Sequence, residues 1–210
     1  MLETQNLPTF ILSGILLNIT PGQDTIFIVS RSVAQGRRAG ILSALGILSG
    51  AVLQLLVVAF GLASLIQAWP LALLVIQWFG AAFLLFLGVS ALRSKSGAFS
   101  MDATAVNVAG DWRHWRDGLL TDLTNPKVML FFLAFLPHFV VPTNNLGPLP
   151  FLFLGLLFLT TGTIWCMALA WFSAEASRFL REDVRVSGLL NKACGVIFIA
   201  LALTILCDSI

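Results

Sequence analysis

The sequence predicts an all-α integral membrane protein, with six transmembrane helices arranged as two inverted three-helix repeats. Three observations predict it. Eleven of the twelve Lys and Arg residues fall in three short segments. The intervals between them are apolar: 58% of residues are hydrophobic and 10% charged, with a mean hydropathy of +0.94, whereas a soluble domain carries about 25% charged residues. The first and fourth apolar runs also share a polar, proline-containing interruption that the others lack.

A bilayer crossing needs roughly 20 residues, which places spans at about 7–30, 40–66, 70–92, 118–140, 148–174 and 190–207. The first follows an N-terminus, MLETQNLPTF, without a basic n-region, so it is expected to be retained rather than cleaved. It ends at Arg31, Arg37 and Arg38, where Gly36 and Gly40 are expected to ease the reversal of direction. The second carries Gly46 and Gly50, a GxxxG step expected to pack closely on a neighbouring helix. The third runs from the uncharged Gln67–Pro70 connection to Arg93. The fourth follows Arg93, Lys95, Arg113 and Arg116; the stretch Trp112–Asp117 reads as an interfacial anchor, and His138 as an interfacial residue at the far end. The fifth follows the uncharged Pro142–Gly147 connection, and the sixth follows Arg178, Arg181, Arg185 and Lys192.

Basic loops stay cytoplasmic, so the three basic segments are expected inside and both termini on the periplasmic, outer side. Six spans consume nearly the whole chain. A single transmembrane domain over 1–210 is expected, with repeat one at about 1–92, a cytoplasmic loop at about 93–117 and repeat two at about 118–210.

The interruptions read Ile19-Thr20-Pro21-Gly22-Gln23-Asp24 and Asp122-Leu123-Thr124-Asn125-Pro126-Lys127. Proline removes a backbone donor and clashes with the preceding turn, so spans one and four should be broken there. Both stretches also look like helix starts. Thr20 is expected as N-cap with Pro21 at the first helical position and Gln23 completing a capping box; Asn125 and Pro126 repeat the cap and proline. A helix that restarts inside a membrane turns unsatisfied N–H groups and a positive dipole end inward, an arrangement that binds carboxylates. Gly50 lies 29 residues after Pro21, and Gly155 lies 29 after Pro126. Three spans per half is an odd number, so two similar halves must be inverted, as in many secondary transporters with a midplane site.

Asp24, Asp122 and Lys127 lie within expected spans. Each costs on the order of 2.5–3.5 kcal/mol at a helix centre and needs an interior partner or a watery cavity. Asp24 has two readings: a first-turn carboxylate stabilised by the helix dipole, or a ligand for a substrate ammonium or a proton. Lys127 opposes the dipole of its own helix, so Asp24, Asp122 or a substrate carboxylate is expected to compensate it. Asp122 reads equally well as part of the site or as an interfacial ion pair with Arg116 or Lys127.

Other classes fit less well. No basic cluster is dense enough for nucleic acid. Cys166, Cys194 and Cys207 have no metal-ligand or redox spacing and are expected as packing residues, so neither a metal nor a cofactor is expected. An intramembrane thiol redox enzyme would need cysteines on the broken spans, which have none. A structural subunit leaves the intramembrane charges unexplained.

Thr20-Pro21-Gly22 with Asp24, then Gln35-Gly36-Arg37-Arg38-Ala39-Gly40, Gly46 and Gly50, resembles the first half of the LysE/RhtB superfamily of amino-acid exporters. Asn125-Pro126-Lys127 followed by Phe131, Phe132, Pro137 and Phe139 resembles its fourth-span signature, closer to the homoserine, threonine and leucine efflux branch. Gln23 departs from the family's common second proline. The resemblance implies a multi-pass protein of the bacterial inner membrane that exports an amino acid or derivative by proton antiport, and is not an enzyme.

The expected substrate-binding residues are Thr20, Pro21, Gly22, Asp24, Asn125, Pro126 and Lys127, with Asp24 and Asp122 coupling protons. N–H groups around Gly22 and Lys127 would take the substrate carboxylate, and Asp24 its ammonium. The expected partners are the amino acid, protons and the lipid bilayer; glycine faces also permit a homodimer. The alternative is a cation or metal-ion transporter using the intramembrane carboxylates. Hard cations want six or more oxygens, and Lys127 would oppose them.

Overall fold

The computed structural model describes residues 4–68, 70–93, 110–141 and 146–172, and isolated positions between 192 and 206. Helices dominate: α1 (Leu7–Ile19), α2 (Gln23–Gln35), α3 (Arg37–Ala68), α4 (Pro70–Arg93), α5 (Asp111–Leu123), α6 (Pro126–Phe135) and α7 (Leu149–Trp171), with a 3-10 turn at Leu136–Phe139. Among the described residues the one β pairing is an isolated bridge between Thr4 and Val140.

α3 and α7 are each long and apolar enough to cross a membrane alone. α1 with α2, and α5 with α6, pass the same test only as bent pairs, with angles of 46° and 48° at their breaks. The two interruptions expected from Pro21 and Pro126 are therefore real bends. The expected sixth span lies largely outside the described residues, although Lys192, Gly195, Val196 and Ile199 are helical.

Polarity is inverted relative to a soluble protein. Val52, Leu56 and Phe60 of α3 and Leu156 and Ile164 of α7 are exposed, while Thr20, Ser43, Gln54, Asp122 and Asn125 are buried. Large apolar surface facing outward, with polar groups inside, suits a lipid surround.

Three glycines set the tightest seam, between α3 and α5. A Cβ on Gly46 would collide with the Trp115 carbonyl, and one on Gly118 with that of Ser43. At Gly50 it would come within 2.8 Å of the Asp122 carboxylate. The GxxxG step thus packs as expected, and its partner is the first half of the other broken pair. Gly36, at φ 87°, terminates α2 and makes the expected reversal. Gly40 has a different role from the one expected: it is the notch against which Ser32 packs.

A second packing centre joins the two bent pairs at their far ends. Phe10 of α1 meets Phe131, Phe135 and Phe139, the last edge-on at 5.2 Å between ring centroids. Phe158 of α7 closes the cluster against Phe131 and Phe132. Gln5 anchors the same end, its N–H and side-chain amide donating to the carbonyls of Phe139 and His138. Cys166 is a buried free thiol packed with Ile28, Val29 and Ile47, in keeping with a packing role; Cys194 and Cys207 lie outside the described residues.

Candidate functional site at the two helix breaks

The breaks meet and interlock. Asn125 is the N-cap of α6, its side-chain oxygen accepting from the Lys127 N–H at 3.0 Å. The other half of the same amide donates to Asp24 at 2.8 Å. One side chain therefore caps its own helix and binds the carboxylate of the opposite break. Asp24 sits in the first turn of α2, where the positive helix end favours a carboxylate.

Lys127 reaches the other way. Its ammonium donates to the carbonyls of Leu17, at 2.8 Å, and Thr20, at 3.0 Å, which end α1. A broken helix leaves its last carbonyls without intrahelical partners, and a cation at that negative end is favourable. Those carbonyls were absent from the expected compensators of Lys127, which named only carboxylates. The amine also lies beside Gly22, where a Cβ would meet it at 3.4 Å.

Two further expectations are corrected. Thr20 does not cap α2: its hydroxyl donates back to the Leu16 carbonyl at 2.6 Å, ending α1, and Gly22 stands at the N-cap without any side-chain cap. The capping box with Gln23 is absent because the chain needs two residues, Pro21 and Gly22, to turn through the bend. The Lys127 N–H, expected to face a substrate carboxylate, is already engaged by Asn125.

Asp122 is buried rather than at the surface. Span four was expected to begin near residue 118, but α5 starts at Asp111, which puts Asp122 at the inner end of its helix and 1% exposed. Arg116, one of the two partners proposed for it, pairs instead with Asp117, as do Arg31 and Arg113. Both Asp122 carboxylate oxygens lack hydrogen-bond partners, as does Oδ1 of Asp24. Buried acceptors of this kind are costly unless something donates to them.

Gln54 escaped notice in the sequence. It is 6% exposed, and its amide nitrogen donates to the Asp122 carbonyl at 2.6 Å, which also accepts from the Asn125 N–H at 2.8 Å. The signal was there: Gly46, Gly50 and Gln54 recur every fourth residue, so all three face α5. His114, expected as part of an interfacial anchor, is 4% exposed, while its neighbours Trp112 and Trp115 stack at 4.7 Å.

An all-helical chain with two bent spans, whose intramembrane carboxylates and lysine meet at the breaks, defines a multi-pass membrane protein with a polar interior site. The match is to the LysE type translocator model, over residues 15–209, and the chain belongs to that family. It is 27% identical to a leucine efflux protein of Enterobacter sp. (strain 638), covering 94% of this chain and 93% of that one. It is 26% identical to a homoserine/homoserine lactone efflux protein of Salmonella typhimurium, covering 90% of each, and 28% identical to an uncharacterized membrane protein of Pseudomonas aeruginosa, covering 91% of this chain and 90% of that one. No solved structure matches.

Proposed function

We propose that this protein exports an amino acid or amino-acid derivative across the bacterial inner membrane by proton antiport. The observation that carries the proposal is the interlock of Asp24, Asn125 and Lys127 across both breaks, beside carboxylate oxygens of Asp24 and Asp122 that have no partner. The family and the relatives named for leucine and homoserine efflux support the substrate class.

A zwitterion needs one cationic and one anionic contact. The free oxygen of Asp24 takes the ammonium; the Lys127 charge and the N-terminal end of α2, at Gly22, take the carboxylate. Pro21 and Pro126 shape the breaks, and the Thr20 carbonyl holds the Lys127 ammonium in place. A proton arriving from outside neutralises Asp24 and releases the ammonium outward, with Asp122 as a second proton acceptor. Importing one positive charge gains about 2.3 kcal/mol per 100 mV, enough for a gradient of roughly fifty-fold.

The architecture we propose is one domain of six spans in two inverted repeats, with the basic loops cytoplasmic and both termini outside. Crossed packing supports it: α5 lies on α3, and α1 lies on α7, so each pre-break half-helix rests on the other repeat. Asn18 of α1 also donates to Thr161 of α7 at 3.0 Å.

Efflux from proteoliposomes loaded with labelled amino acids tests the proposal. An inward proton gradient should stimulate release of at least one amino acid, and Asp24→Asn should lower it by about 30-fold or more, the effect of losing one partner of a buried charge contact. Undiminished gradient-driven release by Asp24→Asn would refute the coupling role. Release of cations but of no amino acid would favour the cation-transport alternative.

A further inference from the structure

Gln54 and Asp122 form a second buried polar cluster, on the seam between α3 and α5. The Asp122 carboxylate lies over Gly50, and the Gln54 amide, one turn along the same face of α3, bonds the Asp122 carbonyl. A carbonyl can only accept, so the amide nitrogen must be the end that bonds it, leaving Oε1 as an acceptor. That oxygen has no partner, nor has either oxygen of the Asp122 carboxylate. The two residues thus hold three buried acceptors without partners, with residue exposures of 6% and 1%.

The glycine is part of the device. Any side chain at position 50 would drive into the carboxylate, since even a Cβ would lie 2.8 Å from Oδ2 and 2.9 Å from the Asp122 Cβ. The Gln54 amide in turn is fixed by a bond to backbone at the end of α5, so Oε1 is held in place rather than free to rotate. A fixed acceptor set in a membrane interior selects for a donor.

We infer that Gln54 Oε1 and the Asp122 carboxylate form a side-chain subsite that selects substrates ending in a hydrogen-bond donor, a hydroxyl or a second amine, over apolar ones. The inference rests on the amino-acid export proposed above and names its substrate class. Sites that hydrogen-bond a substrate hydroxyl reject the analogue without it far more strongly than apolar pockets reject an extra methylene, because the site's own polar groups are then left unpaired.

The test uses three substrates of near-equal size: homoserine, 2,4-diaminobutyrate and norvaline, whose side chains end in hydroxyl, ammonium and methyl. Each is measured by efflux from proteoliposomes carrying wild type or Gln54→Leu. Wild type should favour homoserine or diaminobutyrate over norvaline by about tenfold or more. Gln54→Leu should bring that ratio toward one, by lowering homoserine and diaminobutyrate efflux more than norvaline efflux. The variant should fold, because the Asp122 carbonyl keeps its bond from the Asn125 N–H.

Wild type that moves norvaline as well as the others overturns the subsite and leaves amino-acid export standing. Equal loss of all three in Gln54→Leu assigns Gln54 to bracing the break and also overturns it; Gln54→Met, which keeps the chain length, takes its place if Leu does not insert. No release of any amino acid by wild type overturns export and the subsite together.

Discussion

The ammonium of Lys127 lies 3.0 Å from the carbonyl oxygen of Thr20, so a cation on the second broken span closes the open end of the first half-helix. Lys127→Met keeps the stem and removes the charge, leaving the Leu17 and Thr20 carbonyls without that donor. Loss of a donor to a buried acceptor costs about 1–3 kcal/mol. A drop of several degrees in the thermal unfolding midpoint in detergent, together with lost efflux, is the expected result. Lys127→Arg should not restore efflux, because a planar fork does not reproduce a point ammonium between two carbonyls.

Asn125 separates capping from charge contact. Asp is as good an N-cap as Asn, so Asn125→Asp should keep α6, yet it replaces the donor to Asp24 with a second carboxylate. Efflux should fall further in Asn125→Asp than in Asn125→Ala, although Ala costs about 1 kcal/mol of capping. The reverse order would show that the cap is the more important role.

The glycines of α3 should divide sharply. Gly46→Ala forces a methyl into the Trp115 backbone, which cannot move aside as a side chain can. Overpacking of this kind costs about 1–3 kcal/mol. Gly61→Ala has nothing within 4 Å and should leave stability unchanged or slightly improved. Unfolding of the two variants side by side in one detergent gives the comparison.

Orientation is open to direct labelling. In a background lacking Cys166, Cys194 and Cys207, a membrane-impermeant maleimide should label Leu146→Cys in intact cells. Gly110→Cys should be labelled only after the inner membrane is opened. Both positions are exposed in the fold, so protection reports sidedness rather than burial.

Much of this was legible because proline and asparagine act locally. Pro21 and Pro126 break a helix whatever surrounds them, and Asn125 caps from within its own segment. What the sequence hid depends on partners far along the chain. Thr20 looked like a cap, yet its hydroxyl turns back to Leu16, which only the length of the bend decides. Asp122 read equally well as a site residue or an interfacial one until α5 proved to begin seven residues before the expected start, at Asp111 rather than about 118. Gln54 was an ordinary polar residue in an apolar helix until α5 settled against it. Lys127 could not reveal its carbonyl partners, since every residue has a carbonyl and only folding decides which lose their own donors.

The seam between α3 and α5 also constrains how the protein can change shape. Where Gly46 and Gly118 bring two helices together, main chain rests on main chain, with few rotamers to exchange and little side-chain bulk to slide over. Such a pair travels as a single strut. Any alternation between inward and outward access must therefore be accommodated elsewhere, at the joints on either side of Pro21 and Asn125, where the residues proposed to grip the cargo would also form the hinge.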